Sequence, residues 1–172
     1  RHLQEQKLRE TITYLAAHSP FYKEKFAANG IHPGQVSTLE DLRKIPVTQK
    51  EDLQLRNWDF LCVPRHHIAE YMASSGTLGA PVTVALTEND LQRLAFNEYC
   101  SFLSAGGTRE DVYQLMLTLD RQFMAGIAYY LGIRQLGAGL VRVGPGAPFL
   151  HWETIQRVRP TVIVVVPSFL VK

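Results

Sequence analysis

The sequence has only two cysteines, Cys62 and Cys100, and they stand far apart. Zinc sites and small disulfide-stabilised scaffolds need more cysteines at closer spacing, so neither class of protein is indicated. Two separate free thiols are typical of a reducing compartment. We therefore expect a cytoplasmic protein.

Long apolar runs and runs of one charge are also lacking. The longest apolar stretch, 162–166 with its flanks, is far shorter than the ~20 residues that a membrane-spanning helix needs. The N-terminal residues are polar and charged, which does not fit a secretory signal. The formal charge is only +2 and the basic residues are scattered, so we expect neither a nucleic acid nor a membrane as a partner.

The first third of the chain is predicted to be helical. Leu8, Ile12 and Leu15 recur at helical spacing, and Ser19-Pro20 is typical of a helix start, predicting a second helix over 21–28. Two further pairs resemble capping boxes, and they predict short helices over 38–44 and 48–55. These pairs are Thr38 with Asp41 and Thr48 with Glu51.

From residue 68 onward the pattern changes to strands that alternate with helices. Strands are predicted at 68–73, 82–86, 112–117, 140–143 and 161–166. Helices are predicted from Thr87 to Gly106, from Phe123 to about Gly137 and over 152–158. The last strand is a β-branched run, which is typical of a parallel strand buried on both faces. This alternation predicts an α/β fold in which helices cover a mostly parallel sheet.

We expect one domain over 1–172 with three sections: a helical lead-in over 1–66, a loop with its flanking strands over 67–87, and β/α layers over 88–172. After Pro167-Ser168 the chain begins what resembles another helix. The sheet therefore looks incomplete, and we expect the chain to be part of a longer protein. An incomplete sheet leaves an open edge strand, which predicts association into a homodimer.

The segment 74–81 carries the chemical signature of the sequence. It reads Ser-Ser-Gly-Thr-Leu-Gly-Ala-Pro and joins the first two predicted strands. Glycines allow tight turns in which successive backbone N–H groups face one anion, and the hydroxyl groups donate to phosphate oxygens. The same composition is typical of a plain hairpin loop, and the Gly-Lys-Ser/Thr ending of a Walker-type phosphate loop is absent. Composition alone leaves both interpretations open.

Four segments, taken in order, resemble the phenylacetate–coenzyme A ligase family. The loop 74–81 resembles the Ser/Thr/Gly-rich loop of adenylate-forming enzymes, the superfamily that includes acyl-CoA synthetases. HSPFYKEKF at 18–26 and IPVTQKEDL at 45–53 are similar to two N-terminal motifs of the family, and 136–146 is similar to a third. The resemblance covers nearly the whole chain, and it implies the N-terminal subdomain of such an enzyme.

The resemblance implies a function and a set of ligands. In this family an aryl or related carboxylic acid reacts with ATP to give an acyl-adenylate, and coenzyme A then displaces AMP to give a thioester. The expected cofactors are ATP, Mg²⁺ and coenzyme A, and the expected role is in aromatic acid catabolism. Carried over by position, the residues that would hold the phosphates are Ser74, Ser75, Gly76, Thr77 and Gly79.

The sequence also departs from the family pattern. Leu78 replaces a usual hydroxyl residue, and neither Ala80 nor Val82 supplies the usual lysine. The stretch that the family places beside the acyl pocket aligns with 117–126, where Phe123 and Met124 are candidate pocket residues or plain core residues.

The catalytic residues of the family lie downstream of the matched region, so we expect the 172-residue chain to be inactive by itself. The alternative is a non-catalytic nucleotide- or acyl-binding module derived from the family.

Two other segments contain residue types that are common in binding sites. His66 and His67 are adjacent, and in an extended backbone their side chains would point apart, so we expect no metal site there. Gly144-Pro145-Gly146 follows a predicted strand and precedes a helix. It is either a ligand-contacting turn at the carboxyl edge of the sheet or a simple turn.

Overall fold

The computed structural model describes residues 1–74 and 80–170. This part of the chain contains seven α-helices, five β-strands and several short 3₁₀ turns. The helices are α1 His2–His18, α2 Pro20–Ala28, α3 Lys50–Arg56, α4 Glu88–Ser104, α5 Met124–Leu136, α6 Pro148–Val158 and α7 Pro167–Leu170. The strands are β1 Ile68–Ala73, β2 Thr83–Thr87, β3 Val112–Leu115, β4 Gly139–Arg142 and β5 Val162–Val164.

The chain divides into two compact units. The first comprises Arg1–Ile68 with Ser74–Ala85, and the second comprises Ala69–Ala73 with Leu86–Lys172. The first unit is largely helical, and the second contains the parallel sheet and its helices. The three-section organisation of a single domain stays a prediction.

Helix α2 begins at a buried serine that caps it. Ser19 is 1% exposed, and its side-chain oxygen accepts a hydrogen bond from the backbone N–H of Tyr22 at 3.4 Å. The same hydroxyl donates to the backbone oxygen of Asp59 at 3.0 Å, and Pro20 occupies the first helical position. The predicted start of this helix is confirmed. The core beneath α1 and α2 is formed by Ile12, Phe26 and Val36.

One predicted capping box is confirmed and the other is wrong. The Asp41 carboxylate accepts hydrogen bonds from the backbone N–H and hydroxyl groups of Thr38, both at 2.9 Å, at the start of the 3₁₀ turn Leu39–Lys44. At α3 the pairing is shifted by one residue, because the Asp52 carboxylate accepts from the Gln49 N–H at 2.9 Å. Thr48 does not cap this helix, since its hydroxyl lies 3.0 Å from the Tyr22 hydroxyl.

The charged form of Asp41 is strongly favoured. A hydrogen bond from Lys44 at 2.6 Å, together with those from the backbone N–H groups of Ser37 and Thr38, lowers the pKa of Asp41 well below its usual range. Desolvation opposes this effect and is the smallest of these contributions.

The second unit contains a three-stranded parallel sheet in the order β4-β3-β5. In the register, Gln114 of β3 lies opposite Val141 of β4 and Ile163 of β5. On one face, Tyr113 packs with Ile133, Leu136 and Ala138 in the hydrophobic core. The predicted α/β fold with a mostly parallel sheet is confirmed.

Helices α4 and α5 pack closely because α5 carries a glycine at the contact. A Cβ on Gly132 would lie 2.4 Å from the Cβ of Glu98 and 3.0 Å from its backbone carbon. Any side chain at 132 would therefore separate the two helices. Gly137, with φ of 78°, then ends α5 in the left-handed conformation that favours glycine.

Two predictions for the end of the chain are wrong. The last strand covers Val162–Val164 rather than 161–166, and it pairs with β3 alone among the described strands. Ile163 is 40% exposed, so this strand is not buried on both faces. Helix α6 begins at Pro148 rather than at 152, because a proline at the first helical position needs no hydrogen-bond donor.

The first two strands flank the predicted loop. β1 matches the predicted bounds 68–73, β2 is displaced by one residue, and the two form a two-stranded sheet. The Thr87 hydroxyl accepts from the N–H of Asp90 at 3.2 Å, so the predicted cap of α4 is confirmed. Among the described residues, no helix is both long enough and apolar enough to cross a membrane.

Candidate functional site

The base of the predicted phosphate loop is closed by Ser74 and Val82. The Ser74 N–H donates to the Val82 carbonyl at 2.9 Å, and the Val82 N–H donates to the Ser74 hydroxyl oxygen at 2.9 Å. The Ser74 hydroxyl thus acts as an acceptor here, and its own hydrogen remains a donor. The remaining predicted phosphate contacts, Ser75, Gly76, Thr77 and Gly79, lie outside the described residues.

The segment that follows the loop is held by two side chains from the helical lead-in. Asn57 donates from Nδ2 to the Thr83 carbonyl at 2.9 Å and accepts the Thr83 N–H on Oδ1 at 2.8 Å. Gln54 of α3 donates from Nε2 to the Ala80 carbonyl at 2.5 Å. Asn57 therefore satisfies the backbone of β2 as a neighbouring strand would. No local pattern pointed to Gln54 or Asn57, because each partner lies 26 residues away.

A second feature is the turn between β3 and α5. Arg121 and Gln122 have φ of 59° and 58°, so two consecutive non-glycine residues adopt the left-handed conformation. Such residues persist only where surrounding contacts hold them, and they concentrate at binding and active sites. This turn lies within the stretch 117–126, which the family resemblance places beside an acyl pocket.

The turn is held from two sides. The Gln122 carbonyl accepts a hydrogen bond from the N–H of Ala73, the last residue of β1, at 3.2 Å. On the other side, Gly126 of α5 lies against the Thr118 carbonyl, where a Cβ would lie 1.9 Å from the oxygen. A glycine is therefore required at 126 for α5 to approach the turn. The glycine within the helical pattern was the available sequence signal.

Phe123 lines a small hollow beside this turn. The hollow measures about 120 Å³ and is bounded by β1, the turn and the start of α5. The Phe123 side chain is 42% exposed, so it is not a plain core residue. The residues that line the hollow are Glu70, Met72, Leu119, Asp120, Arg121, Gln122, Phe123 and Ile127.

Met124 lies at a different hollow. It contributes to a surface depression of about 260 Å³ that also involves Leu86, Asp90, Arg93, Leu94 and Asn97. The structure therefore does not bring the two predicted pocket residues together at one hollow. Neighbouring residues at a helix start point in different directions, which accounts for the separation.

The prediction for His66 and His67 used the wrong backbone geometry. Arg65–His67 form a 3₁₀ turn, and the two imidazole centroids lie 4.4 Å apart in an edge-to-face arrangement. Their side chains do not point apart. Among the described residues, no group of three or more His, Cys, Asp or Glu side chains is placed to hold a metal ion.

Comparison with curated proteins shows similarity along almost the entire chain. A phenylacetate-coenzyme A ligase of Escherichia coli is 33% identical over 168 residues, which cover 97% of this chain and 38% of that protein. A phenylacetate-coenzyme A ligase of Thermus thermophilus is 34% identical over 170 residues, which cover 98% of this chain and 38% of that protein. The chain is thus similar to the N-terminal portion of phenylacetate-coenzyme A ligases.

The relatives that this chain resembles are much longer than the chain. A third phenylacetate-coenzyme A ligase, from Aromatoleum evansii, is 32% identical over 172 residues, which cover 39% of that protein. The chain thus spans about two fifths of the length of these curated relatives. No protein-family model matches the sequence.

Solved structures of a ligase outside these relatives share the fold. The crystal structure of 2-hydroxyisobutyryl-CoA ligase in complex with 2-HIB-AMP and CoA in the thioesterification state superposes with a TM-score of 0.85 and is 25% identical. The match covers 97% of this chain and 37% of that one. An open conformation of the same ligase gives the same TM-score at 23% identity. The predicted fold, the N-terminal part of an adenylate-forming CoA ligase, is confirmed.

Proposed function

We propose that the chain supplies the phosphate-binding loop and part of the acyl pocket of an ATP-dependent ligase. The ligase converts an aryl or related carboxylic acid into a coenzyme A thioester. The observation that carries the proposal is the 31–34% identity to phenylacetate-coenzyme A ligases over at least 97% of the chain. A related structure that contains 2-HIB-AMP and CoA supports the acyl-adenylate and the thioester as successive products.

The reaction needs a loop that grips phosphate. In the first step, a carboxylate oxygen attacks the α-phosphorus of ATP, a new C–O–P linkage forms, and pyrophosphate leaves. In the second step, the thiolate of coenzyme A attacks the acyl carbon and AMP leaves with its electron pair. The protein contributes by positioning the phosphates and by neutralising their charge, which backbone N–H groups and hydroxyl groups do well.

Among the proposed phosphate contacts, Ser74 is the one that the structure describes. Because the Val82 N–H occupies one lone pair of its hydroxyl oxygen, the direction of the Ser74 side chain is fixed and its hydrogen can donate to a phosphate oxygen. Ser75, Gly76, Thr77 and Gly79 are proposed to complete the grip. Mg²⁺ would be held by phosphate oxygens and loop hydroxyl groups, since such ions usually bind through substrate phosphates.

The hollow beside Phe123 is proposed as the part of the acyl pocket that this chain provides. The partly exposed Phe123 ring offers an apolar surface to an aryl group, and Met72 of β1 adds to it. Met124 is proposed to contribute to the neighbouring depression. The hydrogen bond between Ala73 and Gln122 joins the wall of this hollow to the residue that precedes the phosphate loop.

A non-catalytic nucleotide- or acyl-binding module is the second candidate. Leu78 and the missing lysine near Ala80 favour it, because both weaken the expected hold on phosphate. This candidate predicts binding without acid-dependent release of pyrophosphate by any form of the protein. The chain by itself is proposed to bind but not to complete the reaction in either case.

Titration calorimetry with ATP and Mg²⁺ tests the proposed loop. Three proteins are compared: the unaltered chain, Gly76→Asp, and Gly34→Asp as a matched control in the same unit. A side chain at Gly34 meets no atom within 4 Å, so the control adds the same charge without a clash. An aspartate at 76 adds bulk and a negative charge where phosphate is expected.

We expect the unaltered chain and Gly34→Asp to bind ATP equally, and Gly76→Asp to bind at least about tenfold more weakly, a loss of ~1.4 kcal/mol. Absence of binding by the unaltered chain, or equal binding by all three proteins, would contradict the phosphate-loop role. Addition of phenylacetate to the ATP-bound chain, followed by ligand-observed NMR, tests the hollow. Phe123→Ala should then lose the phenylacetate signal, whereas Phe149→Ala on α6 should keep it.

A further inference from the structure

Two polar side chains are buried between the central strand β3 and helix α6. Gln114 of β3 is 0% exposed and His151 of α6 is 4% exposed. The Gln114 amide nitrogen, Nε2, lies 3.1 Å from His151 Nδ1 and 3.5 Å from the His151 backbone oxygen. The proposed ligase function does not use either residue.

These distances fix the protonation state of the imidazole. The reverse orientation of the Gln114 amide would place Oε1 against the His151 carbonyl oxygen, and two acceptors would then face each other. The amide nitrogen must therefore be the atom at this position, and it can only donate. His151 Nδ1 accepts this hydrogen bond, so the ring is neutral and carries its hydrogen on Nε2.

Among the described residues, Gln114 Oε1 and His151 Nε2 are buried without a hydrogen-bond partner. Three elements pack on the ring: β3 through Gln114, the turn after β4 through Gly144, and α7 through Phe169. None of these contacts is charged, and the charged residues of α6 itself, Glu153 and Arg157, are exposed.

Burial in these surroundings disfavours the imidazolium. Desolvation lowers the pKa of His151 below its ordinary value, and the backbone of Gly144 raises it by a smaller amount. A buried positive charge without a counter-charge is costly, so the neutral ring is the form that fits the folded chain.

The geometry points to a proton-sensitive lock in which neutral His151 holds α6 to β3 through Gln114, and proton uptake at Nδ1 releases α6. When Nδ1 takes a proton from water, the new N–H faces the amide N–H of Gln114. Rotation of the amide would offer Oε1 as an acceptor, but it would also bring Oε1 against the His151 carbonyl. Both arrangements lose a hydrogen bond that the neutral form makes.

The lock controls the carboxyl edge of the parallel sheet. The N–H of His151 donates to the Ala147 carbonyl at 3.0 Å, so the start of α6 is tied directly to the turn after β4. The N–H of Val143, at the end of β4, donates to the Leu115 carbonyl at 3.1 Å, next to Gln114. Ligands of open parallel sheets bind at this edge. The inference concerns the shape of this edge and does not depend on the proposed ligase function.

The first test is nitrogen-15 NMR of the histidine side chains in the 172-residue chain. The ring shifts report the tautomer directly, and a titration from pH 8 to pH 5 reports the protonation of each ring. We expect the Nε2–H tautomer for His151 at pH 7.5, and we expect this ring to protonate at a lower pH in the folded chain than in the urea-unfolded chain. An Nδ1–H tautomer, or protonation of His151 at the same pH in the folded and the unfolded chain, would overturn the inference.

The second test is hydrogen exchange along α6, corrected for the intrinsic effect of pH. Because the unfolded imidazole has a pKa of about 6.5 and the folded one is lower, protection should be complete above that pH and fall below it. Each whole unit by which the folded pKa of His151 lies below its unfolded pKa corresponds to a tenfold loss of protection. His151→Gln, which cannot titrate, should abolish this loss, while His32→Gln should leave it unchanged. An acid-induced loss of protection that persists in His151→Gln would overturn the lock. If that variant does not fold, the tautomer measurement on the unaltered chain still tests the inference.

Discussion

Replacement of Gly126 by alanine tests whether the left-handed turn depends on its close contact with α5. A Cβ at 126 would lie 1.9 Å from the Thr118 oxygen and 2.9 Å from its carbonyl carbon. Since Cβ atoms essentially never approach non-bonded atoms within 3.0 Å, helix and turn must separate by about 1 Å. Both obstructing atoms belong to the backbone, so no side-chain rotation relieves the clash.

The expected loss of stability follows from two opposing effects. Overpacking against a rigid neighbour costs about 3 kcal/mol, at the upper end of the usual range. Alanine is the better helix former by about 1 kcal/mol, which offsets part of that loss. The net destabilisation is therefore about 2 kcal/mol, or a melting temperature lower by ~4–8 °C for a chain of this size.

Thermal unfolding followed by circular dichroism measures this effect, with Gly34→Ala as the control. A Cβ at Gly34 meets no atom within 4 Å, so that variant should melt within about 2 °C of the unaltered chain or slightly above it. Equal melting temperatures for Gly126→Ala and Gly34→Ala would refute the reasoning. A loss of stability with no change at the Phe123 resonances would show that the helix, and not the turn, had moved.

Three further predictions concern other parts of the chain. Asn57→Ala should lower the free energy of unfolding in urea by about 2 kcal/mol, because both of its hydrogen bonds to the Thr83 backbone are lost. A change below about 0.5 kcal/mol, which is close to the error of the method, would contradict this. The lowered pKa of Asp41 means that its charged form stabilises the fold fully above about pH 4, the unfolded value, and is lost only in stronger acid. Asp41→Asn should therefore lower the melting temperature at pH 7 but not at pH 1, where a persisting difference would contradict the assignment. Trp152 is 62% exposed on α6, and we expect it to promote homodimer formation. In sedimentation equilibrium, Trp152→Gln should weaken dimerisation about tenfold, whereas Leu55→Gln on another exposed surface should not. An unaltered chain that remains monomeric would contradict this prediction.

The sequence predicted best where the signal was local and unambiguous. The Ser19-Pro20 start of α2, the Thr38–Asp41 box and the Thr87 cap of α4 each depend on residues within a few positions of one another, and all three are confirmed. The box at α3 was displaced because Thr48–Glu51 and Gln49–Asp52 offer the same spacing one residue apart. Local pattern alone did not distinguish them.

The sequence predicted poorly wherever burial decided the outcome. The β-branched run 161–166 has the composition of an interior strand, yet β5 pairs with β3 alone among the described strands and leaves Ile163 partly exposed. Helix α6 shows the same limit in a different way. It buries the polar His151 and exposes Phe149, which is 90% accessible, so hydrophobic periodicity could not predict its inward face.

In the candidate site, too, local sequence patterns were predictable and contacts between distant residues were not. The Ser/Gly/Thr composition of 74–81 and the family resemblance could be recognised from the sequence, because both depend only on the order of residue types along the chain. Phe123 and Met124 are adjacent in the sequence, but they lie at different hollows because their side chains diverge at the start of α5. The supporting contacts from Asn57 to β2 and from Ala73 to the left-handed turn were not predicted.

By itself, the sequence determined the order of strands and helices and the position of the loop, because caps, glycines and periodic apolar residues act over short distances. Only the tertiary structure decided which polar groups meet. Gln114 and His151 are 37 residues apart, and they form a pair because the parallel sheet brings β3 beneath α6. Hydrogen bonds between distant residues depend on packing, and packing is a property of the folded chain rather than of any short segment of it.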